Sequence, residues 1–333
     1  VKFQNKLKKY TKSKYVVGLN SGTSALHLSL LAMGVSSDDE VLLSSLSFIA
    51  SSNAVSYCGA KCIFVDIMNE GYGIDYLKLE KYLKNNCKIK NNKCINKQTG
   101  KVIKCLIVVH IFGNCNDLSK LFNICKKYKI KIIEDAAEAM GSFYKKKHLG
   151  TLGDIGIISF NGNKIITTGS GGCILTNSKK YYLKIHSLAR SCKLSHPWSF
   201  KFSGLGYNYM MNNIQATLGI SQLTKLKKLI ENKKKIHNIY KDHYKDSKYF
   251  KFFTPPDYCR SNNWLNSIVL NKKYVKLRDD ILKNLIKRKI FCKVIWPLMI
   301  ESPHLKKSFK TDLKNARNLA KSVICLPSSP NIN

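Results

Sequence analysis

Apolar and polar positions divide the chain into two regions with different patterns. Up to about residue 190, short runs rich in β-branched residues alternate with amphipathic runs of helical spacing. Such alternation predicts strands and helices in turn, as in βαβ units. The predicted strands are 15–18, 41–44, 62–65, 105–109, 131–134, 155–160 and 173–176, and the predicted helices are 24–33, 48–57, 75–83, 118–128 and 181–189.

The second region, with a different pattern, begins at Asn213. Apolar residues recur at helical spacing from Ile214 to Leu229, which predicts one long amphipathic helix. We expect a large domain over residues 1–224 and a smaller C-terminal α+β domain over residues 225–333. Because the chain starts with Val1 rather than Met and stops just after Leu-Pro-Ser-Ser-Pro, we expect both ends to be truncated. The elements predicted in the smaller domain are strands 267–270 and 290–295 and helices 277–287 and 312–323.

The strand–helix alternation of the large domain predicts an α/β fold. Right-handed crossovers between successive strands give a mostly parallel sheet sandwiched by helices. Ligands of such sheets bind beyond the carboxyl ends of the strands. Residues in the turns that follow predicted strands are therefore the candidates for chemistry.

Composition narrows the class of protein. The chain of 333 residues is 44% hydrophobic, which is enough for sizeable cores. No apolar stretch approaches the ~18 residues needed to span a bilayer, and the N-terminus lacks the pattern of a signal peptide. A disordered, secreted or membrane protein is therefore disfavoured, and we expect a cytoplasmic protein with no membrane partner.

Net charge opens a second possibility. Lys and Arg number 57 against 20 Asp and Glu, for a formal charge of +37, which taken alone suggests binding to nucleic acid or another polyanion. However, only five of the 57 are Arg, the residue that nucleic-acid readers prefer for its planar fork. The excess is Lys scattered among Asn, Ile and Tyr, as codon drift in an AT-rich genome produces. We favour drift and expect no specific nucleic-acid partner, with polyanion binding as the alternative.

The twelve cysteines indicate neither a metal site nor a disulfide framework. None forms a CxxC pair, and no Cys/His cluster has zinc-finger spacing. Several, including Cys62, Cys105 and Cys173, lie in apolar strand-like runs, where free Cys behaves as a small hydrophobe. We expect the cysteines to be reduced thiols in the core, and we predict no metal site.

Three segments after predicted strands carry residue types suited to catalysis. Residues 20–24 (Asn-Ser-Gly-Thr-Ser) open a helix and suit a phosphate, although an ordinary cap would use the same residues. Asp135 follows a buried strand, where its carboxylate could pair with a metal, a ribose or a protonated ring nitrogen, or simply cap a helix. Lys164 lies between a strand and a Gly-rich turn and could form a Schiff base, but in so lysine-rich a chain one Lys proves little.

Together the three segments point to one cofactor more specifically than any one of them does alone. Pyridoxal phosphate needs a phosphate cradle, a carboxylate opposite its pyridine nitrogen and a lysine that binds its aldehyde. The helix start at 20–24, Asp135 and Lys164 supply these parts in succession. The sequence therefore predicts pyridoxal 5'-phosphate as cofactor.

Beyond these parts, the chain resembles the sugar aminotransferases of the DegT/DnrJ/EryC1/StrS family, in the fold-type-I group of pyridoxal-phosphate-dependent transferases. The resemblance covers nearly the whole chain in the same order, and it is closest to members that aminate UDP-linked 4-keto-6-deoxy-N-acetylhexosamines. The matching segments are Asn-Ser-Gly-Thr-Ser-Ala-Leu (20–26), Ser-Phe-Ile-Ala (47–50), Val-His-Ile-Phe-Gly-Asn (109–114), Glu-Asp-Ala-Ala-Glu (134–138), Gly-Asp-Ile-Gly (153–156), Ser-Phe-Asn-Gly-Asn-Lys (159–164) and Gly-Tyr-Asn-Tyr (206–209).

The resemblance implies catalytic roles for matched residues. Lys164 would hold the cofactor covalently and, once freed, carry a proton to or from the substrate carbon. Asp135 would pair with the pyridine nitrogen and keep it protonated. Phe48 would stack on the ring face, unless it is only a core aromatic at a helix start. His110 ends a strand beside the site, and a structural role for it is as plausible as a functional one.

The resemblance also implies how the cofactor phosphate is held. Gly22, Thr23 and Ser159 would bind it, and Glu138 would lie near the cofactor and the substrate. Asn208 would reach the phosphate in the neighbouring subunit, so we expect a homodimer with shared active sites.

The implied reaction is transfer of an amino group from glutamate to the keto carbon, expected at C4, of a nucleotide-linked keto-deoxy sugar. Such sugars serve surface-polysaccharide or glycan biosynthesis. Met210 and Met299 depart from the family, which commonly has Arg and His at these two positions. A sugar dehydratase of the same family is a rival, but it would carry His in place of Lys164. A non-catalytic regulatory or polyanion-binding protein on the same fold is the alternative from another class.

Overall fold

The helices of the computed structural model, which describes residues 1–331, largely follow the apolar pattern. They are α1 (Lys2–Thr11), α2 (Gly22–Ala32), α3 (Ala50–Tyr57), α4 (Tyr76–Asn86), α5 (Leu118–Lys127), α6 (Lys179–Ala189), α7 (Asn213–Tyr244), α8 (Arg278–Lys287) and α9 (Lys314–Ser322).

The strands form one large sheet and several smaller ones. They are β1 (Tyr15–Leu19), β2 (Asp39–Ser44), β3 (Lys61–Val65), β4 (Cys87–Lys90), β5 (Lys93–Asn96), β6 (Val102–Val109), β7 (Lys131–Asp135), β8 (Phe143–Tyr144), β9 (Lys147–His148), β10 (Ile155–Ser159), β11 (Gly172–Thr176), β12 (Lys193–Leu194), β13 (Lys201–Phe202), β14 (Phe250–Phe252), β15 (Cys259–Arg260), β16 (Asn266–Leu270), β17 (Lys293–Val294), β18 (Phe309–Lys310) and β19 (Val323–Leu326).

The large sheet is mostly parallel, as the sequence predicts. Its strand order is β1-β11-β10-β7-β6-β2-β3-β18. Pairing is parallel from β10 through to β18. It is antiparallel where β11 joins β10 and β1, and where the hairpin β4–β5 joins β6 from the side. This topology confirms the expected fold-type-I α/β architecture and places the carboxyl ends of β7 and β10 side by side, which is where the site forms.

The middle of the large sheet is buried on both faces. Strands β6 and β7 contain the runs Leu106–Val109 and Ile132–Ile133, which are largely inaccessible to solvent, as expected for parallel strands covered by helices. The covering helices begin at side chains that cap them: Asp75 accepts hydrogen bonds from N–H groups of α4, and Asp117 from α5. The core therefore lies between the sheet and its helices and fixes the strand ends.

The C-terminal part forms an antiparallel sheet in the order β14-β16-β19-β17. Helix α7 leads into it and crosses residues 224 and 225, so the domain boundary expected there falls inside a continuous helix. Strand β18 returns to pair in parallel with β3 of the large sheet. The two-domain division stays a prediction, and its residues 332–333 lie outside the described residues.

The structure differs from the sequence prediction mainly at short elements. The Lys/Asn-rich stretch after residue 84 forms the hairpin β4–β5, and strand 290–295 shrinks to β17. Helix 48–57 begins only at Ala50, and helix 312–323 ends at Ser322, where β19 takes over. Helix α1 has no counterpart among the predicted elements. Its Phe3 ring packs against Gly219 of α7 so closely that a Cβ on this glycine would lie 2.6 Å from the ring. This contact anchors the helix. No helix within residues 1–331 has the length and apolar content that a bilayer crossing needs.

Candidate active site

A cavity of about 590 Å³ opens at the carboxyl ends of β7 and β10. It collects side chains from the large sheet, from the turn before α3 and from the C-terminal sheet. All the site residues predicted from the sequence line this cavity except Asn208. They are Gly22, Thr23, Phe48, Asp135, Glu138, Ser159 and Lys164.

Lys164 lies in the turn that follows β10. Its Nζ is 3.2 Å from Glu138 Oε1 and 4.2 Å from the centroid of the Trp264 ring, and its side chain is 12% exposed. The indole N–H of Trp264 donates to the carbonyl of Asn163, so the same ring also holds the backbone next to Lys164. The amine is thus confined between a carboxylate and an aromatic face, with open cavity in front of it.

Asp135 ends β7 and is almost fully buried. The Ser51 hydroxyl donates to its Oδ2 at 2.7 Å, and the N–H of Ala137 donates to its Oδ1 at 3.2 Å. Burial raises the pKa of Asp135, and these hydrogen bonds, with the charges of Lys164 and His110, only partly offset that effect. Within residues 1–331 no cation lies within ion-pair distance of this carboxylate, so a protonated ring nitrogen would meet an unpaired acceptor.

Glu138 is the other buried carboxylate of the cavity. Its Oε2 accepts the N–H of Phe112 at 2.9 Å, while Oε1 faces Lys164. Phe112 has φ 56°, a left-handed conformation that is uncommon for a bulky residue and directs this N–H to the carboxylate. Burial raises the pKa of Glu138, and the nearby Lys164 is the largest opposing influence.

Helix α2 begins beside the turn after β10. Its first backbone N–H groups have no intrahelical partner, and its dipole favours an anion there. A Cβ on Gly22 would lie 3.1 Å from Ser159 Cβ, so the glycine lets the helix start approach the strand end closely. Ser21 caps the helix by accepting the N–H of Ser24. Because this cap occupies the N–H of Ser24, it does not itself preclude an anion at the N–H groups that precede it.

Asn208 and the two methionines that depart from the family pattern lie outside the lining of this cavity. The backbone of Asn208 bridges to Arg190, and its side chain is exposed. Met210 pairs with Leu19. Met299 lines an adjoining cavity of about 410 Å³ that shares Phe48 with the first. The two departures from the family pattern thus lie at the edges of the site.

His110 does not line the cavity but pairs with the buried carboxylate of Glu134. Its Nε2 lies 2.8 Å from Glu134 Oε2, and both side chains are fully buried. Burial tends to raise the pKa of Glu134, but the bond with His110 and the N–H groups of Gly153 and Gly150 outweigh it and hold the pKa below its ordinary value. This pair fixes the loop after β9 behind the site.

The whole chain, residues 1–333, matches the model of the DegT/DnrJ/EryC1/StrS aminotransferase family. The chain belongs to this family. Membership confirms the family resemblance, the enzyme class and pyridoxal phosphate as the cofactor on which these aminotransferases depend.

Two similar proteins are named for reactions on nucleotide sugars. The chain is 33% identical over 333 residues to a UDP-4-amino-4,6-dideoxy-N-acetyl-beta-L-altrosamine transaminase of Campylobacter jejuni, covering 99% of this chain and 85% of that protein. It is 39% identical to a GDP-perosamine synthase of Escherichia coli O157:H7 over 241 residues, which are 72% of this chain and 61% of that one. These relatives confirm the expected reaction class, amino transfer to a keto carbon of a nucleotide-linked sugar.

The structural likeness extends over the same length. The Helicobacter pylori aminotransferase involved in the biosynthesis of pseudoaminic acid superposes with a TM-score of 0.89 at 27% identity. The superposition covers 99% of this chain and 86% of that one. This likeness confirms the expected fold-type-I α/β fold for this chain.

The side chains present fit pyridoxal phosphate. The start of α2 with Ser159 offers N–H and hydroxyl donors to a phosphate, Asp135 offers an acceptor without a cation, and Lys164 offers the amine. Ser51, Phe112 and Trp264 are functional candidates that sequence reasoning missed. Ser51 lies within a predicted helix, and Trp264 lies in the loop before β16, far along the chain from Lys164, so neither had a local motif. The only signal for Phe112 was its place in the Val-His-Ile-Phe-Gly-Asn segment.

Phe48 offers the first test. Its ring lines the cavity and is 56% exposed, so it is accessible for stacking. Phe48→Ala should weaken cofactor binding by roughly 2- to 12-fold, the equivalent of ~0.5–1.5 kcal/mol for an aromatic pair. Fluorescence titration of the cofactor-free protein measures this. Tyr57→Ala removes a similarly exposed aromatic outside the cavity and should leave the affinity unchanged; equal losses in both variants would contradict the stacking role.

Proposed function

We propose that this aminotransferase moves an amino group from glutamate to the C4 keto carbon of a nucleotide-linked 4-keto-6-deoxy sugar. The observation that carries the proposal is the confinement of Lys164 between Glu138 and Trp264, in one cavity with Asp135. A regulatory or polyanion-binding protein has no need of a lysine amine held at 12% exposure beside buried carboxylates. The sugar dehydratase alternative is disfavoured by Lys at position 164.

Each residue has a defined task in this proposal. Pyridoxal phosphate, when bound, supplies the electron sink that lets nitrogen pass from one substrate to the other. Gly22 and Ser159 would hold its phosphate, and Asp135 would hold a proton on the ring nitrogen. Lys164 Nζ would bind the cofactor at rest and move a proton at the reacting carbon when free. Trp264 excludes water from one side of that amine.

The mouth of the cavity suits a nucleotide diphosphate. Phe291 and Lys293 are both exposed, both line the cavity, and lie two residues apart in the segment that enters β17. Side chains two apart on an extended segment project to the same face. An aromatic ring beside an ammonium group can stack a base and pair with a phosphate. We therefore place the nucleotide at this edge and the sugar next to Lys164.

Lys293→Met should raise the KM for the nucleotide sugar about five- to tenfold, since one exposed ammonium–phosphate contact contributes ~1 kcal/mol and is screened by salt. The KM for glutamate should not change. Steady-state kinetics at two ionic strengths tests this, with the exposed Lys287→Met of α8 as matched control. Equal KM values for the sugar in wild type and Lys293→Met would contradict the placement.

A homodimer with shared sites is the second part of the proposal. The hairpin β12–β13 and the residues after it expose large apolar groups, including Trp198 at 84%, Leu205 at 80% and Ile214 at 83%. Contiguous exposed apolar groups mark an interface. Asn208 lies in the same segment, so a partner seated here would bring Asn208 near a neighbouring site.

Mixing inactive variants tests the shared site. Lys164→Ala and Asn208→Ala proteins are refolded together, and hybrid dimers should regain one intact site. Recovered activity, beyond that of either variant alone, supports the sharing. Size-exclusion chromatography with light scattering that finds a monomer would refute it.

The cysteines support a cytoplasmic location. All twelve are free, and burial raises the pKa of the Cys62 thiol to about 12, which makes it inert. Free thiols in this number persist in a reducing compartment.

The substrate is tested by supplying glutamate with two keto sugars. UDP-linked 4-keto-6-deoxy-N-acetylhexosamine and GDP-linked 4-keto-6-deoxymannose are compared, with mass spectrometry of the products. We expect amination of the UDP sugar with the higher kcat/KM. A deoxygenated product would instead identify a dehydratase, and no product from either sugar would refute the assignment to 4-keto sugars.

A further inference from the structure

Lys233 is a buried ammonium that the proposed reaction does not use. It lies on α7, is 4% exposed, and donates to the carbonyl oxygens of Trp264 at 2.9 Å and Ser328 at 2.6 Å. Within residues 1–331 no carboxylate pairs with it, and burial lowers the pKa of Lys233 to about 8. Burying an ammonium group is unfavourable unless its hydrogen bonds are satisfied. Methionine would fill the same space without that burden.

Both acceptors belong to walls of the active-site cavity. Trp264 lies over Lys164 and binds the Asn163 carbonyl with its indole N–H. Ser328 lines the cavity from the C-terminal segment, and its hydroxyl accepts the N–H of Asn266. A single ammonium group therefore ties two separate walls to one helix.

Other side chains on α7 hold the same two segments. Tyr240 donates its hydroxyl to the Pro327 carbonyl at 3.1 Å, and Asn232 donates its amide to Pro330 at 3.2 Å. His237 Nδ1 lies 2.8 Å from Asn266 Oδ1. Residues 233, 237 and 240 are spaced by four and three positions, so they share one helix face. That face is polar and directed at the cavity walls.

We propose that Lys233 is a positioning residue for amino transfer, which fixes Trp264 over Lys164 and the Ser328 wall beside it. The effect on turnover rests on the proposed function, whereas the effect on Trp264 does not. In Lys233→Met two carbonyls lose their donor, and the loop that carries Trp264 is free to move away from the amine of Lys164.

Hydroxyl-radical footprinting of the cofactor-free protein, read by peptide mass spectrometry, tests the positioning directly. Lys233→Met should raise oxidation of Trp264 about threefold and weaken cofactor affinity about tenfold, as expected for loss of hydrogen bonds to two buried carbonyls. The matched control is Lys234→Met, which removes an exposed ammonium one position along α7 and should match wild type in both readouts.

Two further variants separate positioning from stability. Lys233→Arg keeps charge and donors and should restore much of the cofactor affinity. Tyr240→Phe removes one hydroxyl from the same face and should fold even if Lys233→Met does not, with about a threefold loss of kcat/KM for the sugar. Wild-type footprints and cofactor affinity in folded Lys233→Met, or wild-type kinetics in Tyr240→Phe, would overturn the proposal. Because footprint and affinity need no sugar, a wrong substrate would not be mistaken for a wrong role of Lys233.

Discussion

Lys164→Ala is expected to abolish covalent attachment of pyridoxal phosphate and to lower turnover by roughly 10³-fold or more, since both the anchoring amine and the proton carrier are lost. Lys164 is the cavity lysine that lies between a carboxylate and an aromatic ring. Borohydride reduction of the loaded wild-type protein should fix a pyridoxyl group on the peptide that contains residue 164. The absorbance of the bound cofactor should change accordingly in the variant.

The control for this experiment is Lys179→Ala, which removes an exposed lysine at the start of α6. It should keep the labelled peptide and the activity of wild type. Label on another lysine, or an unlabelled but fully active protein, would remove Lys164 from the mechanism.

Asp135→Asn is expected to lower the rate of the half-reaction with glutamate by roughly 10²- to 10³-fold, because an amide cannot hold a proton on the ring nitrogen. The same change should stabilise the cofactor-free protein. Burial raises the pKa of Asp135 in the folded state, so the ionised carboxylate disfavours folding at neutral pH. The amide can still accept from Ala137 and donate to Ser51.

The sign of this stability change depends on pH. Because the folded-state pKa of Asp135 is raised, the folded protein holds the proton more tightly than the unfolded chain, and wild-type stability falls as pH rises through that window. Asp135→Asn should therefore be more stable than wild type at pH 7 and lose this advantage below about pH 4, where the carboxyl is protonated in both the folded and the unfolded state. Urea unfolding at the two pH values measures it. An Asp135→Asn protein that is less stable than wild type but has normal turnover would mean that Asp135 is only a structural cap.

The local parts of the site were predictable from the sequence. Asp135 and Lys164 each follow a short apolar run rich in β-branched residues, which is typical of a buried strand, and parallel strands bring their carboxyl ends together. The helix start at Gly22 had its own signature in Ser, Gly and Thr. These residues lie in one cavity because their positions depend on strand direction, which the apolar pattern encodes.

The other wall could not be predicted in this way. Trp264 and Ser328 reach the cavity through the antiparallel sheet and α7, and their contacts join residues 31 and 95 positions from Lys233. Such long-range contacts depend on tertiary packing, for which the sequence holds no short motif. For the same reason β18, a strand of only two residues, joins the large sheet without any local signal.

Transfer of ¹⁵N from labelled glutamate to the sugar tests the central claim most directly. The purified protein is loaded with pyridoxal phosphate, given [¹⁵N]glutamate and UDP-linked 4-keto-6-deoxy-N-acetylhexosamine, and the product is examined by NMR. The account predicts ¹⁵N bonded to C4 of the sugar with wild-type protein and unlabelled sugar with Lys164→Ala. A product without ¹⁵N from the wild-type protein, or equal labelling by Lys164→Ala, would contradict it.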